Sequence, residues 1–144
     1  MNAIAPVRER SCEAAQVLVV DDDDDIREVM RELLDGAGYS SVGVANGQLA
    51  LEWLRSSPNL PDLILLDLRM PQMDGMEFLD RIDEERAFRL IPVAIMSAQP
   101  SVRRALQYQE TRFGPSFLLP KPVDFDRLLT IVAGVVSPAD HRHA

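Results

Sequence analysis

The chain has 144 residues, 47% hydrophobic and 26% charged, with a net charge of −8. That is one soluble globular domain's worth of ordinary composition, and the negative charge argues against a nucleic-acid binder, which needs a basic face against phosphates. A single cysteine, Cys12, cannot form an internal disulfide. No apolar run approaches the ~20 residues that cross a bilayer, and Met1–Ala15 lacks the apolar stretch of a secretion signal. The expected location is therefore a reducing cytoplasm, with no membrane contact.

In chain order, residues 1–15 read as a loose N-terminal extension. Gln16–Val20 is a short apolar run that ends on five consecutive aspartates, Asp21 to Asp25. Ile26, Val29, Met30, Leu33 and Ala37 then recur at helical spacing, and Gly36 and Gly38 stop that helix. Val42–Ala45 is the second run. Asn46 is a plausible N-cap for a helix carrying Leu49, Ala50, Trp53 and Leu54, and Pro58 and Pro61 follow it. Leu63–Leu66 is the third run, closed by Asp67 and a Pro/Gly loop through Gly75. Phe78, Leu79 and Ile82 mark a third helix. Pro92–Met96 is the fourth run, ending at Ser97, and Ser101–Tyr108 is a weaker helical segment. Phe117–Leu119 is the fifth run, ending near Lys121 between Pro120 and Pro122. Asp124 caps a last helix with Phe125, Leu128, Leu129, Val132 and Val136. From Ser137 the chain reads as a disordered tail, with His141 and His143 outside any helix, so neither is placed as a phosphodonor.

Five alternations of strand and helix predict an α/β fold with a doubly wound parallel sheet, covered on both faces. Its strands read as nearly continuous apolar runs, as strands buried on both faces should. In such a sheet ligands bind at the carboxyl ends of the strands. The residues at those ends are the candidate site. The first two aspartates of the run belong in the crevice, while Asp24 and Asp25 read as N-cap and first-turn charges of the next helix. Strands one and three lie side by side, so Asp21, Asp22 and Asp67 converge. Like charges ~4 Å apart repel by ~4 kcal/mol at an effective dielectric near 20. Such a group needs protonation, water or a divalent cation, and hard oxygens suit Mg²⁺. With the Ser97 hydroxyl and the Lys121 ammonium at neighbouring ends, the set suits phosphoryl transfer to a carboxylate.

The aspartate run also scans in part as a calcium loop over Asp21, Asp23, Asp25 and Glu32. Its sixth place is Ile26, where that loop needs glycine, and a strand precedes it instead of a helix. Asp74-Gly75 reads as a turn and helix start, Trp53 as core, and Met70, Met73 and Met76 as loop packing.

With these residues in view, the sequence resembles the receiver domains of two-component response regulators over roughly Gln16 to Val136. The motifs are Val-Leu-Val-Val-Asp-Asp, Asp-Leu-Ile-Leu-Leu-Asp-Leu-Arg-Met-Pro-Gln-Met-Asp-Gly, Ile-Pro-Val-Ala-Ile-Met-Ser-Ala and Lys-Pro. The resemblance implies a flavodoxin-like (βα)5 domain over residues 16–136, strand order 2-1-3-4-5, with residues 137–144 as a C-terminal tail. It implies that Asp67 is the phosphoacceptor. Asp21, Asp22, Asp67 and the backbone carbonyl of Arg69 would hold Mg²⁺, with Mn²⁺ as a substitute and Asp22 the more direct of the two adjacent acids. Ser97 would take the switching hydroxyl position and Lys121 would contact the phosphoryl group. The Lys121-Pro122 bond is a candidate cis peptide.

The implied partners are a histidine kinase or phosphotransfer protein upstream and another protein downstream, with a dimer formed on phosphorylation as a further option. The expectation is a stand-alone, non-enzymatic receiver that signals by protein contact. The chain departs from the family between Ser97 and Lys121. That segment is longer than usual, Gly114-Pro115 replaces the usual Gly-Ala, and Leu118 stands where an aromatic is customary. Either Phe117, one residue earlier, takes the aromatic switch role through a shifted loop, or the role is absent. By the same resemblance, Arg69 and Gln99 flank the site at positions that tune phosphoryl lifetime in the family. The competing reading is an enzyme, a phosphatase of the haloacid dehalogenase type. That family uses a nucleophile in an Asp-x-Asp element after strand one, which the aspartate run meets only trivially.

Overall fold

The computed structural model describes residues 15–68, 75–97 and 118–141. In order the elements are β1 (Gln16–Val20), α1 (Asp24–Gly36), β2 (Ser40–Val44), α2 (Gly47–Ser56), β3 (Leu63–Asp67), α3 (Gly75–Asp83), α4 (Arg86–Arg89), β4 (Val93–Ser97), β5 (Leu118–Pro120) and α5 (Phe125–His141). The five strands form one sheet in the order β2-β1-β3-β4-β5, and every neighbouring pair is parallel. The doubly wound fold expected from the sequence is the fold found.

Alternation along the strands divides the core in two. Leu18, Val20, Ile64, Leu66, Val93 and Ile95 face α2, α3 and α4, through Ala50, Leu51, Leu54, Phe78, Leu79, Ile82 and Phe88. Val17, Val19, Leu63, Leu65, Ala94 and Met96 face α1 and α5, through Met30, Leu34, Leu128 and Val132. Because both faces are covered, neither set can be polar, and the strands lose the alternating pattern of a half-exposed sheet.

The helix starts follow capping chemistry with one correction. Asp23, not Asp24, is the N-cap of α1: its side chain accepts the N–H groups of Asp25 and Ile26 at 2.9 and 3.1 Å. Asp24 and Asp25 both lie in the first turn, where the helix dipole favours negative charge. In a run of five identical residues only the backbone's departure from the strand fixes which one caps. Asn46 caps α2 by accepting the Leu49 N–H at 2.8 Å. Asp124 accepts the N–H groups of Asp126 and Arg127 at 3.0 and 3.3 Å at the start of α5. The end of α1 is marked by Gly38, whose φ of 98° is a left-handed conformation that glycine alone adopts without strain.

Other expectations shift. Val29 and Leu49, placed on buried stripes, are 42% and 43% exposed, and Phe125 is 38% exposed. Leu34 and Leu51 are buried in their place. Adjacent apolar residues offer two helical phases, and packing against the sheet selects one. The short α4 was not anticipated; it presses Phe88 into the core, with Ile91 just beyond it. The last helix does not stop at Val136 but carries helical backbone to His141, which puts His141 on a helix after all. Ser137 and Pro138, read as the start of the tail in sequence, lie within that helical backbone. The expected helix at Ser101–Tyr108, the Gly114-Pro115 change, Met70, Met73, Asp74, Cys12 and His143 lie outside the described residues. Trp53 and Met76 pack against the core as partly buried side chains.

Gly75 begins α3 where there is no room for a side chain. A Cβ there would lie 2.6 Å from Leu68 Cα and 2.9 Å from the Asp67 carbonyl oxygen, both fixed backbone. A Cβ on Gly134, within α5, would meet nothing within 4 Å. Gly75→Ala should therefore lower the unfolding free energy by about 1–3 kcal/mol through overpacking. Gly134→Ala should raise it by about 0.5–1 kcal/mol through helix propensity. Urea denaturation of the two variants, read by circular dichroism, should give shifts of opposite sign.

Candidate functional site

The parallel register brings the strand ends into one row. Val20 pairs with Leu66, so Asp21 and Asp67, each one residue further on, are neighbours at the carboxyl edge. Asp67 pairs with Met96, and Ser97 pairs with Pro120, which sets Ser97 and Lys121 along the same edge. The Lys121 N–H donates to the Ser97 carbonyl at 2.9 Å, and the Lys121-Pro122 peptide is cis, as expected. Four of the strand ends thus deliver one polar group or more each.

Asp21, Asp67 and Ser97 are the buried polar side chains among the described residues, at 0%, 3% and 2% exposure. Asp22, by contrast, is exposed. The Lys121 Nζ lies 3.1 Å from Asp67 Oδ2 and 3.6 Å from Asp21 Oδ2. One carboxylate oxygen from each of Asp21, Asp22 and Asp67 falls within 4.8 Å of the others. The site residues expected from the sequence are therefore brought together where they are described. The Arg69 carbonyl, Gln99 and Phe117 lie outside the described residues.

The backbone and side chain of Asp21 are held on three sides. Its N–H donates to the Val44 carbonyl at 3.2 Å, its carbonyl accepts Arg27 Nη1 at 2.7 Å, and its Oδ1 accepts the Asp23 N–H at 2.9 Å. Its Oδ2 is buried and has no hydrogen-bond partner. The Lys121 ammonium faces that oxygen as an ion pair just beyond hydrogen-bond reach. Burial is the main cause that pushes the Asp21 carboxyl pKa above its ordinary range. The Asp23 N–H and Lys121 work against the rise, and the Asp67 and Asp22 charges add to it. Burial of Lys121 opposes its charge, but the Asp21 and Asp67 carboxylates outweigh that and hold its pKa above the usual lysine value.

A buried carboxylate oxygen with no hydrogen-bond donor, in a cluster with two further acids, is costly in the bare protein. It suits a cation that prefers oxygen ligands and retains waters, the behaviour of Mg²⁺. The donor set contains no nitrogen or sulfur, so a softer metal is disfavoured. Arg27 was not singled out in the sequence. A basic residue six positions after a strand-end acid gives no signal by itself, and only the α1 start turns its guanidinium back onto Asp21.

A doubly wound parallel sheet with acids and a lysine at its carboxyl edge defines an α/β protein whose polar groups stand where such folds bind ligands. Comparison with known proteins is more specific: residues 17–133 match the family described as the response regulator receiver domain. The chain belongs to that family, whose members are regulatory domains of two-component signalling. It is 39% identical over 122 residues to the DNA-binding transcriptional regulator NtrC of Escherichia coli strain K12, covering 84% of this chain and 24% of NtrC. It is 32% identical to the response regulator Rre1 of Synechocystis, covering 87% of this chain and 53% of Rre1. The chain thus spans about a quarter of the one relative and about half of the other. Among solved structures, the chemotaxis protein CheY4 of Vibrio cholerae superposes with a TM-score of 0.73 at 28% identity, over 85% of this chain and 98% of that one. The Francisella 1452 receiver domain gives 0.74 at 26% identity, over 87% and 98%. The family match decides for the receiver over the phosphatase reading. No helix among the described residues is long and apolar enough to cross a membrane.

The raised Asp21 pKa has a consequence for stability. A carboxyl whose native pKa exceeds its unfolded value stabilises the fold below the unfolded pKa, and that contribution is lost as pH rises through the native pKa. In chelator, the wild type should therefore lose stability as pH climbs from the ordinary aspartate range through the raised value. Asp21→Asn keeps the Oδ1 acceptor but has no charge to bury. It should lack this decline and be more stable than wild type at pH 7 by about 1 kcal/mol, as removal of a strained site group commonly is. Thermal melts from pH 3 to 8 check this. A steeper decline in Asp21→Asn would refute the burial argument.

Proposed function

We propose that Asp67 accepts a phosphoryl group from a histidine kinase or phosphotransfer protein, and that this modification is the signal the domain carries. The observation that carries the reading is the contact of Lys121 Nζ with Asp67 Oδ2 at 3.1 Å, made between two strand ends beside the buried Asp21. Asp67 is the acid best placed to be a nucleophile, since a cation from β5 sits where a transferred phosphoryl group would need one.

In the proposed step, an Asp67 carboxylate oxygen attacks phosphorus in line with the leaving group. The bond from phosphorus to the donor's imidazole nitrogen breaks, and that nitrogen takes up a proton. Lys121 exchanges its pairing with Asp67 for a phosphoryl oxygen, and stabilises charge that sits there in the transition state. Asp21, Asp22, Asp67 and the Arg69 carbonyl are the proposed ligands of Mg²⁺, with Mn²⁺ able to substitute. When bound, the ion neutralises phosphoryl oxygens and the acidic cluster together. The Ser97 hydroxyl is the proposed reporter, moving toward the phosphoryl oxygens and biasing a two-state surface built on β4 and β5. Phe117 is the candidate aromatic partner in that switch. Output passes to a protein partner, or to a second copy in a phosphorylation-dependent dimer, and a cytoplasmic setting accords with this role. The net charge of −8 disfavours direct binding of nucleic acid by this domain.

Acetyl phosphate with Mg²⁺ should add one phosphoryl group, seen by intact mass, and chelation should prevent it. Asp67→Asn should abolish the addition; persistent labelling of that variant would remove Asp67 from the role. Lys121→Ala should still fold, because its side chain is partly exposed. It should be phosphorylated at least 10²-fold more slowly, the loss expected when one charge-stabilising donor goes.

A further inference from the structure

Asp21 and Asp22 share a peptide bond, and the orientation of that peptide sets where the Asp22 side chain can reach. Both polar backbone groups of Asp21 are held. Val44 accepts its N–H at 3.2 Å, and Arg27 Nη1 donates to its carbonyl at 2.7 Å. The second bond is the one that fixes the plane of the Asp21–Asp22 peptide. Arg27 reaches it from a seat made by a missing side chain. A Cβ on Gly43 of β2 would lie 3.0 Å from both Cγ and Cδ of Arg27, so the arginine stem occupies the space a residue there would fill. The Arg27 side chain is 20% exposed, and its other partner, Asp24, is 84% exposed. A surface pair of that kind contributes little to stability. The contact that distinguishes Arg27 is therefore the partly buried bond to the Asp21 carbonyl.

Arg31 offers an internal comparison. Its Cδ also lies against the Gly43 position, at 2.9 Å, but its guanidinium turns to Ser41, at 3.4 Å from Oγ and 3.5 Å from the carbonyl. The two arginines sit one helical turn apart on α1, share a seat on β2 and carry the same charge. Only one touches the acid pair.

We propose that Arg27 is a positioning residue for cation binding: by clamping the Asp21 carbonyl from its seat over Gly43, it presets the Asp21–Asp22 peptide for the metal. This rests on the reading of Asp21, Asp22 and Asp67 as a Mg²⁺ site. Groups that orient metal ligands from behind typically carry 10–100-fold in affinity. A simple charge argument predicts the opposite sign, since deleting a cation near three acids should draw Mg²⁺ in more tightly. The two ideas are therefore separable.

The test is Mg²⁺ titration by isothermal calorimetry of the wild type, Arg27→Met and Arg31→Met. Methionine keeps an apolar stem over Gly43 and a good helix former, so both variants should fold. Arg27→Met should bind Mg²⁺ about tenfold more weakly, while Arg31→Met stays within about twofold. Phosphorylation of Arg27→Met by acetyl phosphate should be slow at limiting Mg²⁺ and recover at saturating Mg²⁺. Unchanged or tighter binding in Arg27→Met, equal weakening in both variants, or no recovery at saturating Mg²⁺ would each overturn the proposal. Should Arg27→Met not fold, Gly43→Val reads the same displacement without removing any polar group. A normal Mg²⁺ affinity there would count against the seat. Absence of Mg²⁺ binding by the wild type would instead overturn the metal site itself, along with this inference.

Discussion

Asp21 and Asp67 are buried side by side at the edge of a sheet, with a lysine between them and a third acid, Asp22, near by. Two carboxylates in contact with one ammonium leave a negative excess in a place with little water. The bare protein absorbs it by raising the Asp21 pKa, mainly through burial, and by leaving one carboxylate oxygen without a donor. The arrangement is stable enough to fold and unsatisfied enough to attract charge of the opposite sign. In the proposed function a divalent cation, or a phosphoryl group carrying one, would relieve it, and signalling would draw on an electrostatic strain that the fold maintains.

The fold maintains it by rigidity on both sides. Four of the strands entering the site are continuous apolar runs locked between two helical layers, so the acids at their ends cannot drift apart to lower their repulsion. Gly75 lets α3 begin hard against the Asp67 and Leu68 backbone, which closes the loop leaving Asp67 within a hydrogen bond of Leu68. On the far side, Val44 and Arg27 pin the Asp21 peptide. The acids are thus held from behind by backbone contacts and faced by Lys121, whose own N–H is tied to the Ser97 carbonyl. A change at Gly75 or Val44 should act on the site through position and not through charge.

Much of this was readable beforehand, for definite reasons. Runs such as Leu63–Leu66 closed by Asp67 are legible because burial on both faces forbids polar residues until the strand ends. Asp21, Asp22, Ser97 and Lys121 follow because a parallel sheet puts every strand's carboxyl end on one edge. The caps at Asn46 and Asp124 follow from a short polar residue standing before an apolar stripe. The failures have physical reasons too. Five identical aspartates conceal which one caps α1. The pairs Leu33–Leu34 and Ala50–Leu51 conceal which helical phase faces the sheet, so Val29 and Leu49 read as buried in sequence and are exposed in the fold. The segment from Ser137 reads as a disordered tail, while the helix continues to His141.

The sequence by itself determined the chemistry: which acids, which hydroxyl and which lysine end strands, and hence the family to which they belong. It could do so because strand periodicity and strand-end polarity are local properties of the chain. The tertiary structure alone decided how those groups share charge. That Asp21 is fully buried while its neighbour Asp22 is exposed, that Lys121 favours Asp67 over Asp21 by half an ångström, and that Arg27 turns back across Gly43 to the Asp21 carbonyl all depend on contacts between distant segments. Burial and distance set the energy of a charge, and neither exists until the chain has folded.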